Sequence, residues 1–264
     1  MDNRKIAILI DGDNADGKLI DLILNEAAKF GRATIKRIYA DFTTTQMNVW
    51  KNQLNAYAIR PIQKFAYTKG KNSTDSALII DAMDIMHSKL VDGFCIVSSD
   101  SDYTGIAHRI REEGLFVMGI GQSKTPEAFV KACENFTYTE ILNTNPVEAI
   151  NSEIKPVVEK SDSKKVVKET TETKIKAKIE LTNLVTKKPI DVNMINKAFE
   201  MVYNDISGLA LANRFAEALK KVDSSFDIRN YGHNSFKKFL EALKPNFEIV
   251  FHDDKKTISV KRVN

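Results

Sequence analysis

The chain has 264 residues, 43% of them hydrophobic, and a formal net charge of +4. That is enough apolar material for one large core or two modest ones. No stretch approaches the roughly 20 apolar residues of a membrane span, and residues 1–5 lead directly into an apolar run too short for a signal-peptide core. Cys95 and Cys133 lack the spacing of a metal or redox pair, so a reduced cytoplasmic protein is expected.

The charge is unevenly spread. Residues 1–145 carry 17 Lys+Arg against 18 Asp+Glu, while residues 181–264 carry 14 against 10. A basic C-terminal third behind an acidic first part suggests a polyanion held by one unit and processed by the other.

Taken in chain order, residues 1–145 alternate strand and helix patterns, the signature of a parallel sheet covered on both faces. Strands are expected at 5–10, 33–40, 58–65, 93–98 and 115–120, with a weaker one at 136–142. Helices are expected near 17–30, 45–56, 74–88, 103–113 and 125–133. All-apolar runs such as Ile6 to Ile10 suit strands buried on both sides. Thr74 reads as the N-cap of helix 74–88, and Thr125-Pro126-Glu127 as a cap followed by proline at the first helical position.

From about 146 to 186 the apolar periodicity collapses, and Lys160 to Lys165 cannot bury enough surface to repay ordering. This segment reads as a flexible charged linker. Order resumes over 187–264. Ile195, Phe199, Val202 and Tyr203 share one helical face, and Leu211, Phe215, Leu219 and Val222 another. Tyr231-Gly232 marks a turn before a helix carrying Phe236, Phe239, Leu240 and Leu243. Phe247, Ile249 and Phe251, then Ile258 and Val260, alternate as a hairpin around Asp253-Asp254-Lys255. Three helices and a hairpin in this length predict a winged helix.

Acidic signatures fall where strands hand over to loops or helices: Asp11-Gly12-Asp13-Asn14, Tyr39-Ala40-Asp41, Asp75 at the start of a helix, and Asp100-Ser101-Asp102. In open α/β sheets ligands sit beyond the carboxyl ends of the strands. Carboxylates converging there repel one another unless a cation lies between them. Asp11, Asp75, Asp100 and Asp102 are therefore the candidate metal ligands. At 100° per residue, Asp81 and Asp84 point away from Asp75 on their helix. For any one aspartate, helix capping explains as much; four at successive strand ends favour a shared cation.

An all-carboxylate set without histidine suits Mg²⁺ or Mn²⁺, and His87, His108, His233 and His252 form no zinc spacing. Such ions support phosphodiester hydrolysis. Lys69 and Lys71 are candidates for holding the substrate phosphate, with a solvated loop as the alternative. Ser98, Ser99 and Thr104 either orient waters or cap a helix. Asp11-Gly12-Asp13 also mimics the nucleophile pair of haloacid-dehalogenase phosphatases, but Asn14-Ala15-Asp16 stands where that family expects Thr or Val.

The segments ILIDGDN, IYADF, IQKFAYTKGKNSTDSALIIDAMD, GFCIVSSDSDYTGIAHRIREEG and KTPEAFVKACENF resemble the NYN domain of the LabA-like group, within the PIN-like nuclease superfamily. The resemblance covers roughly residues 3–143. It implies a Rossmann-like sheet and metal-dependent ribonuclease chemistry. It places Asp11, Asp75 and Asp100 in the acidic site with Asp102 as a further member, and Asn14 as the residue positioning substrate or a ligand. Asp41 follows Ala40, where the family usually has glycine.

LKKVDSSFDIRNYGHNSFKKFLEAL resembles the LOTUS domain, also called OST-HTH, over roughly 187–263. That resemblance implies RNA binding and, in some relatives, protein docking. Arg229, Lys237, Lys238, Lys255, Lys256, Lys261 and Arg262 are the cations positioned to meet phosphates, with a merely solvated face as the alternative. Phe226 and Tyr231 are expected in the core. A metal-dependent endoribonuclease with a tethered winged helix is the function expected. A non-catalytic RNA-binding regulator with the same fold is the alternative.

Overall fold

A computed structural model describes residues 4–65, 73–142, 188–252 and 257–263. The expected linker, Lys69, Lys71, Lys255 and Lys256 lie outside the described residues.

Six parallel strands form the larger sheet: β1 (Lys5–Asp11), β2 (Arg32–Ala40), β3 (Arg60–Gln63), β4 (Gly93–Val97), β5 (Phe116–Gly121) and β6 (Asn135–Tyr138). Their spatial order is β3-β2-β1-β4-β5-β6. β1 shows why the run of apolar residues is required. Side chains alternate across a strand, so Ala7 and Leu9 enter one core while Ile6, Ile8 and Ile10 enter the other. All five are fully buried.

Helices α1 (Ile20–Ala28) and α2 (Asn48–Ala56) cover one face, where Trp50 and Ile23 pack. Helices α3 (Ser73–Ser88), α4 (Thr104–Glu112) and α5 (Glu127–Ala132) cover the other, around Phe94, Phe129 and Phe136. The strand order reverses between β1 and β4, and α3 carries the chain across that point. This is the switch point at which such sheets open a crevice. Both cysteines are free and buried, and burial pushes the Cys133 thiol up to about 12.

The second unit contains α6 (Val192–Glu200), β7 (Leu209–Leu211), α7 (Ala212–Val222), α8 (Phe236–Ala242) and an antiparallel pair, β8 (Phe247–Phe251) and β9 (Ile258–Arg262). β7 joins on the free side of β9, giving the order β7-β9-β8. The periodicity had placed Leu211 on a helical face. It lies instead in β7, 37% exposed, because a three-residue strand is too short to show alternation. Tyr203 falls beyond the end of α6 but still stacks on Phe199 at 5.5 Å. Phe226 and Tyr231 are core residues, as expected. Gly232 has φ of 78°, a left-handed turn that glycine enters without strain. Among the described residues no helix is long and apolar enough to cross a membrane.

The two units touch along the β6 edge. Phe136 N–H donates to Ser224 O at 2.8 Å, and Ser224 Oγ donates to Val130 O at 2.8 Å. Arg229, expected at a phosphate, instead points into this contact. Its guanidinium donates to Glu26 at 3.0 and 3.3 Å and to Asp227 at 2.7 and 3.0 Å. Side-chain exposure is only 15% for Arg229 and 6% for Glu26, so nucleic acid cannot reach the guanidinium while the contact holds. Despite burial, which raises a carboxyl, the guanidinium keeps the Asp227 pKa below its usual value.

Each buried charge has a partner within its own unit, Lys29 for Glu26 and Asp227 for Arg229. Separation of the units therefore strands neither charge. Glu26→Lys should drive the units apart, read as a larger radius of gyration in small-angle scattering, and adding Arg229→Glu should restore the compact value. An unchanged radius in the single variant would show that backbone contacts at Ser224 carry the interface alone.

Candidate functional site

The carboxyl ends of β1 and β4 and the first turn of α3 meet at the switch point. β1 ends on Asp11, which is fully buried. The turn beyond it depends on Gly12, where a Cβ would lie 2.9 Å from Ala40 Cβ and 3.0 Å from Tyr39 O. The methyl of Ala40 thus occupies space into which nothing larger than glycine could turn. Asp11 Oδ1 accepts from the backbone of Asp13 and Asn14, at 3.1 and 3.3 Å. Its Oδ2 accepts from Asn14 Nδ2 at 2.7 Å and from Ser98 Oγ at 2.8 Å.

Ser98, at the end of β4, also accepts from Asp100 N–H at 3.0 Å, so one hydroxyl ties β1 to the acidic loop after β4. Asp100 Oδ1 then accepts from Asp102 N–H at 2.9 Å. Asp100 is therefore a cap, as the bland reading of a lone aspartate supposed, and also part of a cluster. One carboxylate oxygen from each of Asp75, Asp100 and Asp102 lies within 4.8 Å of the others. All three donors are hard oxygens, the set that Mg²⁺ or Mn²⁺ accepts. Asp11 stands behind this trio with both oxygens engaged by protein donors.

Electrostatics support the picture of crowded negative charge. Burial first, and then the charges of Asp11, Asp100 and Asp102, raise the Asp75 pKa against the opposing hydrogen bond from Tyr103. Burial also raises Asp11 and outweighs the hydrogen bonds from Asn14 and Ser98. Asp13 is raised by burial and by Asp75 and Asp41, while a hydrogen bond from Thr74 pulls the other way.

Tyr103 and the side-chain role of Thr74 carry no signal of the site in the sequence, and Asp13 stands out there only within its acidic signature and as half of a phosphatase-like pair. Tyr103 is fully buried, and its hydroxyl donates to Asp75 Oδ1 at 2.7 Å. In the sequence it reads as an ordinary core aromatic, and only the reach of its hydroxyl sets it apart. Thr74 read as a cap; the helix begins one residue earlier, and the Thr74 hydroxyl serves Asp13 instead. Pro126 similarly sits at the cap position of α5, one residue before the first helical turn.

Ser99 accepts from Gln122 N–H at 2.8 Å, and Thr104 donates back to Ser101 O at 2.6 Å, so both shape the backbone. Asp41 accepts from Thr43 and Gln63 beside the site. Asp81 points away, as the helical angle required, and accepts from Arg37 and Tyr39. A crevice of about 80 Å³ opens on the α1 side of the trio, lined by the polar Asn14, Ser98, Ser99, Gln122 and Thr139 and by the apolar Leu19, Ile23, Val97 and Ile120. In the second unit Lys237 and Lys238 are exposed on α8, with the Lys237 ammonium 5.2 Å from the Phe251 ring centroid. Lys261 is exposed on β9, whereas Arg262 pairs with Glu200 at 3.1 Å.

No curated protein matches the chain. A solved structure, that of a protein of unknown function, VPA0982, from Vibrio parahaemolyticus, is 20% identical. It covers 52% of this chain and 93% of its own, with a TM-score of 0.43. The OST-HTH/LOTUS domain model matches residues 178–259, over the winged helix. The NYN domain model matches residues 5–143, the whole of the parallel sheet and its acidic crevice. The chain belongs to the NYN-domain family and carries an OST-HTH/LOTUS domain behind its nuclease-like unit.

Proposed function

We propose that the protein is a Mg²⁺- or Mn²⁺-dependent endoribonuclease that hydrolyses RNA phosphodiester bonds, with the RNA held by the C-terminal winged helix. One observation supports this reading: Asp75, Asp100 and Asp102 each bring a carboxylate oxygen within 4.8 Å of the others at the switch point of the sheet. Asp75, Asp100 and Asp102 would hold the ion. When bound, a divalent ion polarises a phosphoryl oxygen and lowers the pKa of water.

The chain's own groups do the rest. Asp11 joins Asn14, Ser98 and thereby the Asp100 loop into one rigid block, so the trio keeps its spacing. Tyr103 holds Asp75 against that block. Asp13, which accepts a hydrogen bond from Thr74 at the head of α3 next to Asp75, is a carboxylate beside the trio that can take the proton from the attacking water. Water oxygen then bonds to phosphorus as the bond to the leaving ribose oxygen breaks. Lys237, Lys238 and Lys261 meet phosphates on the winged helix with Lys255 and Lys256, while Lys69 and Lys71, ahead of Asp75 in the first unit, hold the substrate phosphate; Lys69, Lys71, Lys255 and Lys256 lie outside the described residues.

Asp75→Asn, Asp100→Asn or Asp102→Asn should lower cleavage of RNA by orders of magnitude while RNA binding through the winged helix persists. Wild-type protein that cuts equally well in EDTA, or fails to cut mixed RNAs in Mn²⁺, would overturn the proposal; the second outcome would favour a non-catalytic RNA-binding regulator.

Tyr103→Phe keeps the buried ring and deletes only the hydroxyl that orients Asp75. Cleavage should fall by about 10- to 100-fold, the usual cost of losing a group that orients a metal ligand. The fall should be smaller at high Mn²⁺ concentration. A variant indistinguishable from wild type at all metal concentrations would make Tyr103 a core residue only.

The raised carboxyls also set a pH dependence. A carboxyl whose folded pKa exceeds its unfolded value binds more protons when folded, so its contribution to stability falls as pH rises above about 4. A bound cation opposes that loss. The increase in melting temperature produced by Mn²⁺ should therefore grow from pH 4 towards pH 7. A metal-induced shift that is flat over that range would contradict the shared-cation site.

A further inference from the structure

The edge of the sheet farthest from the winged helix carries features that the acidic site does not use. β3 is the outermost strand on that side, and the winged helix contacts β6 on the other. Arg60 opens β3 and Lys64 follows its end. Both side chains are exposed, and neither has an ionic partner among the described residues. Phe65 follows with 54% exposure, and Ile80 on the adjoining face of α3 has 62%. A groove of about 280 Å³, which Phe65 adjoins through Lys64 without lining it, is walled by Arg37, Tyr39, Arg60, Ile62, Lys64 and Ile80.

The floor of this groove is fixed. Asp81 accepts from both Arg37 and Tyr39, and burial raises the Tyr39 pKa, so the phenol keeps its proton. The pair of Arg37 and Asp81 cancels in charge, which leaves Arg60 and Lys64 against Asp84, a net positive groove.

Its position relates it to the acidic trio. Lys64 N–H donates to Ala40 O at 3.0 Å, and Gln63 Nε2 donates to Asp41 Oδ1 at 2.9 Å. The carboxyl end of β3 is therefore on the same rim of the sheet as Asp11. Two strand spacings, about 10 Å, separate the strands. A chain held at the β6 edge and crossing the trio would next arrive over β3. Exposed cations beside a solvent-facing aromatic suit a polyanion whose bases can stack.

We propose that Arg60, Lys64 and Phe65 form a track for single-stranded RNA entering or leaving the acidic site. The two cations meet phosphates, and Phe65 stacks on a base. The track rests on the RNA-hydrolase reading given above, and the following experiment separates the two.

The full-length chain carrying Asp100→Asn is crosslinked by near-ultraviolet light to a single-stranded RNA oligonucleotide containing 4-thiouridine, and the adducts are mapped by mass spectrometry. Adducts at Phe65 or its neighbours are expected. Arg60→Ala with Lys64→Ala should cut their yield at least about fivefold and lower the slope of log affinity against log salt by about 1.4, two phosphates' worth on a single strand. These side chains are exposed, so the substitutions should leave the melting temperature unchanged.

Adducts confined to the winged helix, or a slope unaltered in the double variant, would overturn the track. Self-association in sedimentation that the double variant abolishes would assign this edge to a second copy of the chain, and would overturn it too. Phe65 adducts in a protein whose wild type never cuts the same RNA in Mn²⁺ would support the track while refuting hydrolysis.

Discussion

Carboxylates brought within 4.8 Å of one another repel, and the architecture of this protein is arranged to hold them there. The hydrogen bonds that brace the site centre on one buried residue, although its own charge adds to the repulsion on Asp75. Asp11 accepts hydrogen bonds from two backbone N–H groups, the Asn14 amide and the Ser98 hydroxyl, and so binds the end of β1 to the end of β4. Ser98 in turn fixes the Asp100 loop. β4 is already paired to β1 as far as Ile10 and Val97, and this block carries the restraint past the strand ends to the Asp100 loop.

The same constraint explains the unusual residues around it. Gly12 is needed because the turn passes against Ala40. Tyr103 lies in the core, with its hydroxyl reaching Asp75 on a different helix. Each of these residues looks ordinary by itself. Their common purpose is to keep negative charge concentrated at the one place where the strand order reverses and a crevice exists without any further loop to build it.

A second use of charge operates at the contact between the units. Arg229 crosses from the winged helix to Glu26 at low exposure. Buried pairs of this kind add little net stability when both partners are present, because desolvation offsets attraction. Their value lies in orientation: a bidentate guanidinium accepts few geometries. The winged helix is thereby set on the β6 edge, at a defined side of the acidic crevice. It also covers an edge strand that would otherwise present open backbone groups.

Much of this was written in the chain. The apolar runs Ile6 to Ile10 and Phe94 to Val97 specify strands buried on both faces, and the aspartates just past them mark the rim where a site must lie. Helical angle alone removed Asp81 and Asp84 from that site. The winged-helix pattern was equally legible, because Phe215, Leu219, Phe239 and Leu240 repeat at helical spacing. What periodicity could not reveal was whatever depends on contacts between distant segments. It could not show that Asp11 would spend its oxygens on protein donors, or that Tyr103 would turn its hydroxyl to Asp75. It gave no hint that three residues, 209–211, would add a strand to β9. Nor could it show that Arg229, one cation among many in a basic domain, would be buried against Glu26, 203 positions away in sequence. Local spacing determines which face a side chain takes; only the packed fold determines what waits for it there.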